Sequence, residues 1–312
     1  SVGSVIRPGN WFFEAVRVQA VLETVTDAIQ SEDRVTLEFR SPREDRHLAM
    51  IVNPIRKHPF SGVVIVVRDI SDLRRIEAMR RDFVSGVSHE LKTPLTVIQA
   101  CTDTLLGGAL DDREAAERFL KQIEEQSERL RVLVLGMLQL SRVESGVEVF
   151  RFEDVPLSDV IENVFRSLRP LADADNVQLR STGVVAATVW ADHRAVETIL
   201  NNLVSNAIKN SPANAEVTVT VDRNDDEAVR LIVADQGGGI DPQLHDRIFE
   251  RFYRVDRDRS RDKGGTGLGL AIVKHVCQTL GATVTVDSRP GRGARFVVTF
   301  NAKSRNAAPN DQ

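Results

Sequence analysis

The sequence has little of what would mark a secreted, membrane-spanning or nucleic-acid-binding protein. Cysteine is scarce: Cys101 and Cys277 are the only two in 312 residues. They lie far apart, each in an amphipathic helical pattern, which suits a reducing compartment and excludes a disulfide scaffold. Long apolar runs are missing as well. The longest, Val63 to Val67, is far short of the roughly 20 residues a membrane span needs, and no signal-peptide pattern opens the chain. A formal net charge of -4 with 28% charged residues describes an ordinary soluble surface, so no nucleic-acid partner is expected. Because the chain opens at Ser1 in what reads as mid-domain, it is expected to be the cytoplasmic part of a longer protein. Any membrane attachment is then expected in an upstream segment outside this chain.

The length allows two or three domains, each with its own core. Apolar residues at Leu73, Ile76, Met79, Phe83, Val87, Leu91, Leu95 and Ile98 recur at spacings of three and four. They predict one long helix, Asp72 to Leu106, with a single buried stripe. At about 100° per residue, His89 lies about 200° from Val87 and as far from Leu91, so its imidazole is expected to meet solvent. Pro94 removes a backbone hydrogen bond and crowds the carbonyl of Glu90, which predicts loosening or a kink just beyond the histidine. A lone His beside Glu90 is by itself an ordinary polar surface pair.

Gly107-Gly108 and Asp111-Asp112 break that helix. A second follows, with Phe119, Ile123, Leu130, Leu133, Met137 and Leu140 in register. Each helix extends about 50 Å. Two helices with one apolar stripe each cannot enclose a core, which predicts a homodimer in which two hairpins form a four-helix bundle.

The flanking regions change period. Upstream, a helical stretch from Phe12 to Ile29 precedes candidate strands Val35 to Arg40, His47 to Ile55 and Gly62 to Arg68, with turn signals at Ser41-Pro42 and His58-Pro59. Downstream of Ser145-Gly146, a strand over Val147 to Phe152 leads to a helix from Pro156 to Ala174. Short strands at Val177 to Ser181 and Ala187 to Trp190 precede a helix from Asp192, a suitable N-cap, to Asn210. Strands Glu216 to Asp222 and Ala228 to Ala234, a helix from Gly269 to Leu280, and strands Thr283 to Ser288 and Ala294 to Phe300 complete an α/β sandwich. Ala302 to Gln312 reads as a polar tail.

Several polar clusters fall in this last region. Asn202, Asn206 and Lys209 form a stripe on one helix face, which alone is a solvated surface. Asp235 ends a strand and is followed by Gly237, Gly238 and Gly239: a carboxylate can accept the exocyclic amine of a flat base, and glycines let backbone approach it. Phe249 to Arg254 precede a charged stretch through Lys263, either a mobile lid over nucleotide or an ordinary solvated loop. Gly264-Gly265-Thr266-Gly267-Leu268-Gly269 then opens a helix. It lacks the Gly-Lys-Ser/Thr of a Walker loop and the spacing of a dinucleotide fingerprint. Glycine amides at a helix N-terminus still make an anion site suited to a triphosphate, with Arg254 a candidate contact for the γ-phosphate.

Together these strings point to one family. Ser88-His89-Glu90-Leu91-Lys92-Thr93-Pro94-Leu95 resembles the phosphoacceptor box of sensor histidine kinases. Asn202 to Lys209 resembles their N box and Asp235 to Ile240 their G1 box, the run Gly264 to Leu270 stands in the family's order, and Gly291-Arg292-Gly293-Ala294-Arg295-Phe296 looks like the short glycine motif that ends the fold. The resemblance covers residues 72 to 301. Within the family, the string Leu73 to Ser85 is nearest to the phosphate-regulon sensor subgroup. More loosely, Val67-Arg68-Asp69-Ile70-Ser71-Asp72-Leu73 resembles the closing strand of a PAS sensor domain, here truncated.

The resemblance implies a multidomain α+β protein: a truncated PAS-like α/β region (1–71), a dimeric antiparallel helical hairpin forming a four-helix bundle (72–146), an α/β sandwich ATP-binding domain of the gyrase, Hsp90 and histidine kinase type (147–302), and a flexible tail (303–312). It implies His89 as phosphoacceptor, Glu90 as base, and Thr93 as the residue that orients water in a phosphatase reaction. ATP is implied at Asn202, Asn206, Lys209, Asp235, Gly237, Gly239, Gly265, Thr266, Gly267, Leu268 and Gly269, with Mg²⁺ on Asn206. The implied partner is a response regulator receiver domain. Two rival readings remain at this point: a gyrase-type ATPase without phosphotransfer, and a nucleotide-responsive dimeric scaffold.

Overall fold

The computed structural model describes residues 19–31, 33–41, 45–57, 60–144, 150–183, 187–223, 228–255 and 265–301. The expected start of the first helix at Phe12, the turn residues Pro42 and His58-Pro59, the side chain of Met79, the boundary at Ser145-Gly146, the turn at Asn224 to Asp226, Lys263-Gly264 and the tail lie outside the described residues. Two compact units divide the chain, Ser1–Ser85 and Gly86–Gln312.

In the first unit, helix α1 (Gln19–Ser31) lies on an antiparallel sheet of β1 (Val35–Arg40), β2 (His47–Lys57) and β3 (Phe60–Asp69) in that order. All three expected strands are present. The β1 pattern alternates between half-buried and exposed, as period-two patterning requires, and Val35 and Leu37 stand opposite Val52 and Met50. Val21, Ala28, Met50 and Val52 form the core, flanked by Val25, Leu37, Phe39 and Ile65. The Asp-Ile-Ser at the end of β3 has a local cause. Asp69 accepts the Ser71 N–H at 2.9 Å, and the Ser71 hydroxyl, with this N–H second, holds its carboxyl below the usual range. The next helix, α2 (Ser71–Leu106), starts there.

The second unit contains the rest of α2 and a partner helix, α3 (Arg113–Glu144), joined through a turn in which Gly108 has φ 121°. Asp112 caps α3, its carboxylate accepting from Glu114 N at 3.0 Å and Ala115 N at 3.2 Å. The hairpin seam comprises Val87, Leu91, Pro94, Ile98, Cys101 and Leu105 from α2, with Leu130, Leu133, Met137 and Leu140 from α3. Two expectations for α2 need correction. Leu95 is 58% exposed while Pro94 is buried, and Leu73 and Ile76 are 55% and 59% exposed. Pro94 and Leu95 are both one helical turn from Leu91 and Ile98, so the apolar spacing fits two faces and the sequence could not choose between them. The helix assignment also runs unbroken through Pro94.

The remainder is an α/β layer. A five-stranded mixed sheet has the order β5-β7-β8-β10-β9, with β5 (Gln178–Gly183) parallel to β7 (Glu216–Arg223). Strands β8 (Val229–Ala234), β10 (Ala294–Phe300) and β9 (Thr283–Ser288) continue it antiparallel. Helices α4 (Leu157–Ala174), α5 (His193–Asn210) and α6 (Gly269–Thr279) accompany it. Val196, Ile199, Leu200 and Leu203 of α5 are fully buried with Val217, Val219, Leu231, Val233 and Phe296 of the sheet, so this layer closes its own core. Of the strand expected at Val147 to Phe152, residues 147–149 lie outside the described residues and 150–152 are not strand; the pairing segment is β4 (Glu153–Pro156) against β6 (Thr188–Ala191). Val155 is the fully buried residue that fixes this register.

Candidate functional site

The site is built along α5. Asp192 caps that helix by accepting from Ala195 N at 2.9 Å, and its apolar face is sealed against the sheet. Asn202 and Asn206 therefore stay on a half-buried side, with Asn210 exposed beyond them.

At the C-terminal end of α5, β8 delivers Asp235. Its Oδ1 accepts from Gly237 N at 2.8 Å and Ala294 N at 3.1 Å. Burial raises this carboxyl above its ordinary value, and the two backbone donors offset only part of that rise. Gly237 has no room for a side chain: a Cβ there would stand 2.5 Å from the Asn210 carbonyl oxygen. Gly239 has φ +72°, and a Cβ would collide with the Arg289 carbonyl. The loop is pinned from the other side by Gly291 N donating to Gly238 O at 2.7 Å and Gly293 N to Gly237 O at 3.1 Å. Ser288 completes the clamp, its hydroxyl accepting from Ile240 N at 2.8 Å and donating to Gly293 O at 2.6 Å. The sequence reading placed a glycine motif at Gly291 to Phe296, Ala294 included, but gave it no task. Ser288 and Arg289 were missed, and their only sequence signal was closeness to that motif.

The middle of α5 meets the start of α6. A Cβ on Gly269 would lie 2.9 Å from Asn202 Oδ1, so asparagine and glycine are in contact. Gly267 has φ +69°, and its carbonyl accepts from Phe252 N at 2.9 Å. Leu268 is 1% exposed, which anchors the loop, and its N–H reaches Thr266 Oγ1 at 3.4 Å. Gly265 lies beside the Arg254 guanidinium, 4.0 Å from its built Cβ. Eight residues separate Asn202 from Asn210, a span of about 12 Å along the axis. Asn206 stands midway, its side-chain oxygen accepting from Asn210 Nδ2 at 3.1 Å. The C-terminal half of α5 thus runs from the glycine-and-guanidinium loop at Asn202, past the Asn206 amide oxygen, to the carboxylate-and-glycine loop at Asn210. Lys209 is half-buried on the same helix.

On the hairpin, His89 is exposed, as its angular position predicted. Glu90 is half-buried and pairs with Arg129 of α3 at 3.4 Å. Thr93 is exposed one turn below, its hydroxyl donating to the His89 carbonyl at 3.3 Å. Neither cysteine approaches a disulfide partner: both are buried and free, and burial pushes the Cys277 thiol up to about 12.

Comparison with known proteins agrees with this arrangement. Residues 79–146 match the His Kinase A (phospho-acceptor) domain, and residues 191–304 match the Histidine kinase-, DNA gyrase B-, and HSP90-like ATPase family. The sensor-like histidine kinase SenX3 of Mycobacterium tuberculosis is 38% identical over 239 residues, 77% of this chain and 58% of that protein. The phosphate regulon sensor protein PhoR of Pseudomonas aeruginosa is 34% identical over 276 residues, 87% of this chain and 60% of that protein. The solved structure of full-length ShkA in complex with AMPPNP is 28% identical with a TM-score of 0.52, covering 70% of this chain and 45% of that one. The chain spans less than two thirds of the length of these curated relatives. An exposed histidine on a helical hairpin, followed by an α/β layer of this kind and these matches, places the chain in the family of sensor histidine kinases.

Proposed function

We propose that this chain is the signalling portion of an ATP-dependent protein-histidine kinase that phosphorylates His89 and passes the phosphoryl group to an aspartate of a response regulator. The observation that carries the reading is the exposed imidazole of His89 in the same compact unit as the polar residues aligned on α5.

The residues fit the substrate. Asp235 presents a partly desolvated carboxylate near the C-terminal end of α5, where adenine's exocyclic amine can donate, and Gly237 and Gly239 leave a flat approach beside it. The glycine amides from Gly265 to Gly269 open α6, where backbone N–H groups favour phosphate oxygens. Arg254 adds cationic charge beside Gly265, and Lys209, next to Asn210 on α5, adds it nearer Asp235. Asn202 and Asn206 supply hard amide oxygens of the kind Mg²⁺ accepts, with Asn206 its proposed protein ligand. When bound, Mg²⁺ neutralises charge on the triphosphate. Phosphoryl transfer needs positioning and charge neutralisation more than covalent chemistry from the protein.

At the acceptor, neutral imidazole has a lone pair available near neutral pH. One ring nitrogen of His89 attacks the γ-phosphorus as the bond to the β-bridging oxygen breaks, leaving ADP. Glu90 orients the ring by accepting at its other nitrogen, which requires its carboxylate to share or leave Arg129. Thr93 holds a hydroxyl one turn away, suited to orienting water in the reverse, phosphatase direction. The working form is a homodimer. Its support is the row of exposed apolar residues on the hairpin, including Leu95, Leu120, Leu135 and Leu138 at 51–58% exposure. The sheet of the first unit is proposed as the remnant of a PAS-like sensor.

Incubation with γ-labelled ATP and Mg²⁺ tests the reading. The expected product is an acid-labile, base-stable phosphoprotein that His89→Gln abolishes while nucleotide binding persists. ATP turnover unaffected by that substitution would instead favour a gyrase-type ATPase, and nucleotide binding without any label would favour a scaffold.

A further inference from the structure

The two long helices of the hairpin contain one interior glycine each, Gly86 in α2 and Gly136 in α3. Glycine is disfavoured in a helix interior relative to alanine, because it has more backbone freedom to lose. Neither position is a turn, a cap or a crossing point of the two helices. Each instead lies under a side chain of the nucleotide-binding layer.

A Cβ on Gly86 would stand 2.5 Å from Cδ2 and 3.0 Å from Cε2 of Phe252. A Cβ on Gly136 would stand 3.3 Å from Cδ1 of Leu268. Phe252 and Leu268 grip the same loop from two sides. Phe252 N donates to Gly267 O at 2.9 Å, and Leu268 follows Gly267 directly. Phe252 itself has φ 61°, a left-handed conformation that a bulky side chain adopts only where its surroundings impose it. One turn along α3 from Gly136, Gln139 Nε2 donates to Thr198 Oγ1 of α5 at 3.2 Å. Gly86 is three residues before His89, so the ring of Phe252 rests within one helical turn of the acceptor.

We propose that Gly86 and Gly136 are docking seats: absent side chains that let Phe252 and Leu268 settle on the hairpin and so set the distance from the glycine loop of the nucleotide site to His89. Gly86 is then a positioning residue for phosphoryl transfer, acting through Phe252 and touching no substrate. The proposal rests on the kinase reading for its rate effects and on geometry alone for the docking.

Gly86→Ala is the test, because alanine favours the helix and the fold is not threatened. The methyl displaces the phenyl ring by about 1 Å, and a displacement of that size lowers the autophosphorylation rate by about ten- to a hundredfold. The KM for ATP stays unchanged. Gly136→Ala, with its longer contact, gives only a few-fold loss. Adding Phe252→Leu to Gly86→Ala recovers part of the rate, which a merely structural glycine would not allow. Amide exchange at Phe252 reads the docking without activity and accelerates in Gly86→Ala. An autophosphorylation rate equal to or above wild type in Gly86→Ala, or a parallel loss of nucleotide affinity, overturns the proposal. If wild-type protein takes no label, the kinase reading fails. The seats then stand or fall by exchange at Phe252, unchanged exchange in Gly86→Ala refuting them.

Discussion

The helical hairpin and the nucleotide-binding layer solve the same problem differently. In the layer, Val196, Ile199, Leu200 and Leu203 are 0% exposed and the sheet covers them from within the chain. In the hairpin, Leu133 and Leu140 are buried, yet Leu106, Leu120, Leu135 and Leu138 remain 51–76% exposed. A sheet with helices upon it can close a core, whereas two helices offer only one seam and leave a second apolar face wet. The chemistry follows the same division. The region that completes itself holds the residues proposed for nucleotide, and the region left with a wet apolar face carries His89, the proposed acceptor.

That contrast can be broken by substitution, beginning with the core. Leu203→Ala should destabilise the nucleotide-binding layer by about 2–5 kcal/mol, as large-to-small changes at sealed positions do. Calorimetric or denaturant melting would show this, and a loss below about 1 kcal/mol would mean the layer is loosely packed. Asp235→Asn should lower nucleotide affinity by about tenfold or more, the range expected when a charged hydrogen-bond acceptor is replaced, read by titration calorimetry.

The same substitution carries a pH signature of opposite sign for the empty protein. Because burial raises the Asp235 carboxyl above its ordinary 3.8, its contribution to stability is fully present below that value and is lost as pH rises through the raised one. Asn at this position avoids the loss. Empty Asp235→Asn protein should therefore melt no lower than wild type at neutral pH, and a lower melting point there would refute the desolvation account.

Leu135→Ala combined with Leu138→Ala probes the wet face. Melting of the nucleotide-binding layer should be unaffected, while self-association weakens in sedimentation equilibrium. Association of wild-type strength in that double variant would remove the support for the dimer. The smallest effect is expected at Cys277, whose thiol is 1% exposed and held near 12. Thiol reagents should not modify it in folded protein, and rapid modification would show that α6 opens.

Much of the fold was legible because its signals are local. Strand β9 and β10 boundaries, the Asp192 cap and the length of α2 follow from alternation, capping chemistry and spacing, each contained within a few neighbouring residues. Strand was expected at residues 150–152 and occurs at 153–156, because an edge strand of four residues is defined by its partner β6, not by its own pattern. The polar stripe on α5 was visible, but its ordering from Asp235 to Gly269 was not, since it depends on one loop brought to the C-terminal end of that helix and another brought to its middle.

The sequence alone determined which helices and strands form, that His89 faces solvent, and that the chemistry is concentrated in a few short strings. Those outcomes depend on periodicity and residue type, which neighbours along the chain decide. Only the tertiary structure decided that Pro94 and not Leu95 enters the seam, that Glu90 pairs with Arg129, and that Phe252 rests on Gly86. Each is a choice between sterically equivalent local options, settled by a side chain distant in sequence.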